Sequence, residues 1–202
     1  MPTSAEIRAK ARESLRGNWA SAVLHFLLYY VIMMGIGFFG LVPVIGWLAN
    51  VVLSGVLSFG LYSFFLALSR GERPSTETLF SGFSRFMDTF LLGLLMGIFI
   101  FLWSLLLIIP GIIAAFRYSQ AYYILRDNPG IGALEAIRRS KDLMVGHKLR
   151  LFVLILTFIG WALLCGLTFG IGTLWLAPYV YTSQAHFHND LISRSAYPRI
   201  SP

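Results

Sequence analysis

Arg117 is the residue whose type and setting most invite chemistry: it stands inside the apolar run PGIIAAFRYSQAYYILRD (110–127), with Ser119 and Gln120 just behind it. A guanidinium beside a hydroxyl and a carboxamide is a donor set for an anion or a lipid headgroup. Nine residues separate Arg117 from Arg126, about 14 Å along a helix, so a straight helix leaving a membrane at Arg126 carries Arg117 to mid-bilayer. A charge there costs roughly 2.5–3.5 kcal/mol and must face protein or a wet cavity, or escape along its own stem. Two readings stand side by side. Either Arg117, Ser119 and Gln120 form a ligand site, or the run is short enough, about 15 residues, for the arginine to reach an interface.

Other chemistry is sparse. His186 and His188, with His25 and His147, raise a metal site, but residues two apart on a helix diverge and no zinc spacing such as HExxH occurs. Ordinary interfacial histidines are favoured, and no metal or other cofactor is expected. The chain has no nucleophile elbow, no P-loop and no paired carboxylates inside an apolar run, and all nine acids lie in charged segments. The expectation is a non-enzyme, and the missing carboxylates also argue against a carboxylate-relay transporter. GLLMG (Gly93, Gly97) and GLTFG (Gly166, Gly170) have small-xxx-small spacing, which permits close helix packing, within the protomer in preference to a dimer face. The stretch 166–172 reads equally as a turn or as unwound backbone lining a site. The single cysteine, Cys165, excludes an internal disulfide and reads as an apolar packing residue.

The elements that would position these residues follow from composition. Of the residues, 57% are hydrophobic and 12% charged, where a soluble domain carries roughly 25% charged. That is a membrane composition. The net charge of +7 is explained by basic loops against anionic lipids, without a nucleic-acid partner. Apolar runs cover 19–42, 45–69, 89–109, 111–125, 149–165 and 173 to about 187. The first follows a basic segment, as a signal peptide does, but is too long for a signal core and reads as a retained helix. Apart from Arg117, Lys and Arg cluster at the N-terminus, from Arg70 to Arg85, from Arg126 to Arg150, and at Arg194 and Arg199. The turns around Pro43, Pro110-Gly111 and 166–172 are uncharged. The positive-inside rule then makes every charged segment cytoplasmic, N- and C-terminus included. A single kinked helix over 89–125 would be about 55 Å long, so Pro110-Gly111 is expected to be a hairpin tip. The expected fold is an all-α polytopic bundle of six transmembrane helices in three hairpins, with cytoplasmic amphipathic interfacial helices.

Internal recurrence supports three units, about 3–70, 74–127 and 129–190, within one membrane domain (1–190) followed by a short tail (191–202). Before each hairpin lies a segment of helical period: Ile7, Ala11 and Leu15 after a Thr3–Glu6 capping box; Leu79, Phe83, Phe86 and Phe90; and Leu134, Ile137 and Met144 opposite Glu135, Arg138, Arg139 and Asp142. Arg138 and Asp142 have the spacing of a solvated ion pair. Gly17, Gly82 and Gly146 recur at nearly equal intervals, and YSFFLALSRG, YSQAYYILRD and TSQAHFHND align on Ser63, Ser119 and Ser183. Shared membrane-helix composition is the plain alternative.

The ordered motifs IPGII, YSQAYYILRDNP, AIRRSKDLMVGHKLRLF and FIGWALLCGLTFGIGTLWLAPY, with ARESLRGNW near the start, resemble the bacterial integral membrane family catalogued as domain of unknown function number 975. More distantly the chain is similar to the membrane domain of some glycerophosphodiester phosphodiesterases, without a phosphodiesterase segment of its own. The resemblance implies a multi-pass protein of the bacterial cytoplasmic (inner) membrane and assigns no activity. The functional expectation is a non-enzymatic scaffold that engages the lipid bilayer, anionic lipids above all, and a membrane protein partner or a second copy of itself. The alternative is a small-solute or anion transporter, or a subunit of one, working through Arg117.

Overall fold

The computed structural model describes residues 1–38 and 43–195; the tip expected around Pro43 and the tail with Arg199 fall largely outside them. The described residues contain helices and no strand. The helices are α1 (Ser4–Leu15), α2 (Trp19–Phe38), α3 (Pro43–Ser69), α4 (Thr76–Leu79), α5 (Phe86–Leu106), α6 (Ile108–Tyr118), α7 (Ala121–Asp127), α8 (Ala133–Leu143), α9 (Lys148–Leu156), α10 (Ile159–Leu167) and α11 (Thr173–Arg194), with a short 3-10 turn, Ser81–Arg85, leading into α5.

α1 starts where its sequence says it should. Thr3 Oγ1 accepts from Glu6 N at 3.2 Å, and Glu6 Oε2 accepts from Thr3 N at 2.9 Å, a complete capping box. Gly17 (φ 84°) and Gly146 (φ 77°) end the turns after α1 and α8 in the left-handed region that only glycine adopts without strain. Gly82, the third member of that series, instead brings the 3-10 turn against the Val56 backbone with no room for a Cβ.

Four stretches among the described residues are long and apolar enough to cross a membrane: Trp19–Gly37, Gly46–Ser69, Ser81–Leu105 and Lys148–Leu167. The second is the hub. In it 67% of the apolar window is buried, against 22% or less in the others, and α3 touches α2, α5, α7 and α11. Gly55 and Gly93 let α3 and α5 meet backbone to backbone: a Cβ on Gly93 would lie 2.6 Å from Gly55 Cα. The outer arms keep large apolar side chains exposed, among them Leu102, Trp103 and Leu105 on α5, and α10 has no buried residue. A bilayer is the solvent that covers such a surface.

α5 and α6 are separated at Leu107, whose backbone is extended, and the expected tip residues Pro110 and Gly111 lie within the first turn of α6. Pro110 sits in the first turn of α6, where its missing N–H has no intrahelical partner to lose. Gly111 packs against Ser104 across the hairpin.

The amphipathic segments also differ from expectation. Ile7, Ala11 and Leu15 are 2%, 0% and 0% exposed, because α1 lies along the end of α11. α8 buries Ala133, Ala136, Ile137 and Ser140 and leaves Leu134 outside; its small residues let it lie close to α5 and α7. In the middle segment Leu79 is buried while Phe83 and Phe86 face outward, since Gly82 and the 3-10 turn interrupt the stripe. The apolar faces of α1 and α8 are thus consumed by the protein, which turns these helices into a cap over the charged end of the bundle.

Candidate functional site

The three aligned helix ends converge. The exits of α3, α7 and α11 meet under the cap, and their polar side chains form one connected network. Asp127, at the end of α7, accepts from both Arg70 terminal nitrogens at 2.7 and 2.6 Å, a bidentate pair. His188 of α11 lies against the same carboxylate, with Nε2 3.4 Å from Oδ2. Arg70 Nε donates to Asn189 Oδ1 at 3.1 Å, and Asn189 Nδ2 donates to Ser69 Oγ at 3.0 Å. The Asp127 side chain is 5% exposed. Burial alone would raise its pKa, but the hydrogen bonds and charges of His188 and Arg70 outweigh burial and hold it well below its ordinary value.

The same network holds the imidazole on both sides. Phe116 O can only accept, so Ser119 Oγ gives it its one proton (2.9 Å) and accepts from Gln120 Nε2 (3.0 Å). Gln120 Oε1 in turn faces His188 Nδ1 at 3.1 Å. On the other side stands a carboxylate, which also only accepts.

Ser140 of α8 explains the break between α6 and α7. In an unbroken helix Gln120 N–H would donate to Phe116 O, and Arg117 O would accept from residue 121. Here Gln120 N donates to Ser140 Oγ (3.2 Å) and Ser140 Oγ donates to Arg117 O (2.8 Å). A side-chain hydroxyl inserted into the ladder interrupts it.

The three residues expected to share a ligand therefore part. Ser119 and Gln120 spend their polar atoms on Phe116, Ser140 and His188, while Arg117 Nε is buried with no hydrogen-bond partner. His186 and His188 diverge: His186 Nε2 meets Ser14 Oγ of α1 at 2.9 Å. His25 bonds Ser21 O and Thr76 Oγ1 and stacks on Phe64. Among the described residues no three His, Cys, Asp or Glu side chains gather in a metal-sized group. Gly97 and Gly166 have open space around them, and Gly170 (φ 84°) closes the turn after α10 by donating to Cys165 O at 2.9 Å. The segment 166–172 is thus the end of α10 followed by a turn over 168–172. Arg138 pairs with Glu135 (2.8 Å), as does Arg139, and these two bonds lower the Glu135 pKa to about 2.

The composition hid this network because its members are far apart in the chain. The one trace in the sequence was the alignment of the three helix ends, which marks the segments that meet.

The described residues, helical with four apolar stretches of membrane-crossing length and a charged, ion-paired cap, have the make-up of the helical membrane-protein class. Within that class the chain belongs to the family described as protein of unknown function (DUF975), whose pattern matches residues 1–113 and 105–195. No curated protein and no solved structure matches the chain.

Proposed function

We propose that the chain is a non-enzymatic, multi-pass scaffold of the bacterial cytoplasmic membrane, with both termini cytoplasmic and its charged cap presented to anionic lipids or a membrane protein partner. The observation that carries this reading is the Arg70–Asp127–His188 junction: one residue from the end of each of α3, α7 and α11 ties these helices together and uses their buried polar groups on one another. Such a junction supports a rigid platform. The order of helices supports six crossings: each of α1, α4 with its 3-10 turn, and α8 precedes an outgoing and a returning segment. α6 is only about 16 Å long at 1.5 Å per residue, so the middle hairpin crosses together with α7 or under a locally thinned bilayer. Because the apolar faces of α1 and α8 are occupied, contacts with lipid or partner fall to their basic outer faces.

The test is reconstitution of the full chain into vesicles of phosphatidylcholine with and without phosphatidylglycerol, alongside crosslinking in the native membrane. A preference for anionic lipid or a reproducible crosslinked partner, self included, is expected; absence of both sinks the scaffold. A transporter is the second reading, favoured by the buried unpartnered Arg117 Nε beside a broken helix. Solute flux in proteoliposomes that Arg117→Gln abolishes would establish it in place of the scaffold.

A further inference from the structure

One feature of the outer arms is shaped for a ligand. α10 packs on α11 and stands away from the rest of the bundle, leaving a cleft of about 590 Å³ between α1, the start of α2, α10 and α11. Its two ends differ in chemistry. At the cap end are Arg8 and Arg12, one helical turn apart on α1, with Tyr179 of α11 close to both guanidiniums. Arg8 Nε itself is buried, so the Arg8 side chain is held against the protein along its stem while it lines the cleft. Away from the arginines the walls are Trp161, Leu164 and Trp175, apolar and aromatic.

A cleft with two cations at one end and an apolar trench behind them fits one chemistry: an amphiphile with an anionic head and a hydrocarbon tail. Arginine suits a phosphate oxygen pair better than lysine does, because its planar fork donates two parallel bonds. The trench opens along helices whose outer faces are lipid-like, so a chain can enter sideways from the bilayer. We propose that this cleft holds one anionic phospholipid, its phosphate on Arg8 and Arg12 and one acyl chain against Trp161, Leu164 and Trp175. The inference rests on the lipid-engaging reading above and adds a defined site to it.

Three forms of the full chain test it, purified in mild detergent and followed by native mass spectrometry after addition of phosphatidylglycerol or phosphatidylcholine. The wild type is expected to retain one phosphatidylglycerol in preference to phosphatidylcholine. Arg8→Gln/Arg12→Gln loses two surface cations worth about fivefold each, so its retention falls on the order of thirtyfold. Leu164→Trp fills the trench from an exposed position, leaves both arginines in place, and is expected to lose retention as well. A melting temperature matching the wild type shows that either variant is folded. Millimolar inorganic phosphate is expected to leave the lipid bound; displacement by phosphate alone overturns the acyl-chain half of the site. Retention unchanged in both variants overturns the cleft while leaving a lipid-binding scaffold standing. A wild type indifferent to headgroup charge overturns the site and the lipid-engaging reading together.

Discussion

Replacing Asp127 with asparagine keeps the shape of the side chain and removes its charge, which isolates the central ion pair. The carboxylate receives two Arg70 bonds at 2.7 and 2.6 Å and faces the His188 ring at 3.4 Å. Breaking a buried pair from one side costs roughly 3–5 kcal/mol. Arg70 retains 19% side-chain exposure, so water recovers part of its solvation and the expected cost is the lower end, about 3 kcal/mol. Arg70→Gln is expected to cost a similar amount. The double variant should cost little more than either, a coupling of about 2 kcal/mol between the two positions. Unfolding of the purified chain by dodecyl sulfate in mixed micelles, followed by circular dichroism, measures all four corners. The pH dependence has a fixed sign. The folded pKa of Asp127 is depressed, so its contribution is complete above the ordinary value of 3.8 and is lost as pH falls below it. Wild-type stability should therefore drop below pH 4 more steeply than that of Asp127→Asn. A cost under about 0.5 kcal/mol, or fully additive single changes, would refute the junction as the element that holds α3, α7 and α11 together.

Other outcomes follow from the packing. Gly55→Ala puts a methyl 2.8 Å from Thr89 O and should cost about 1–3 kcal/mol in the same assay, whereas Gly97→Ala enters open space and should be neutral or stabilising by up to about 1 kcal/mol. Ser140→Ala removes both bonds of the helix break and should cost about 1–3 kcal/mol, with faster amide exchange at Gln120. Thr3→Ala opens the capping box and should cost about 1 kcal/mol, read as earlier fraying of α1 by amide exchange.

Local rules reached the elements they govern. Thr3 and Glu6 announce α1, Ile7, Ala11 and Leu15 announce its buried stripe, and apolar length announces α2, α3 and α5. Where a tertiary partner intervenes, periodicity misleads. On α8 the buried face is set by the alanines that fit against α5 and α7, so the larger Leu134 is left outside. The turn at Leu107 was displaced onto Pro110-Gly111 because proline is read as a breaker, although at the third position of a helix it breaks nothing. The junction itself joins residues more than fifty positions apart, and a lone Asp or His carries no sign of the partner that will neutralise it. Only the recurrence of the helix ends pointed there.

The broken helix also bears on the depth of Arg117 in the proposed arrangement. The 14 Å figure assumes a straight helix running to Arg126, but Ser140 splits that helix just beyond Arg117 and bonds to the Arg117 carbonyl. Ser140 is followed at once by the exposed Lys141 and Asp142, which require water. On the other side the Phe116 ring lies 5.9 Å from Phe152, two residues past Arg150 and its ion pair with Asp190. Both neighbours bring the level of the charged cap up to Arg117. As the last-turn cation of α6 it also complements the helix dipole. In the proposed six-crossing arrangement the arginine in the apolar run is thus a boundary residue: its helix is short, and the cap rises to meet it.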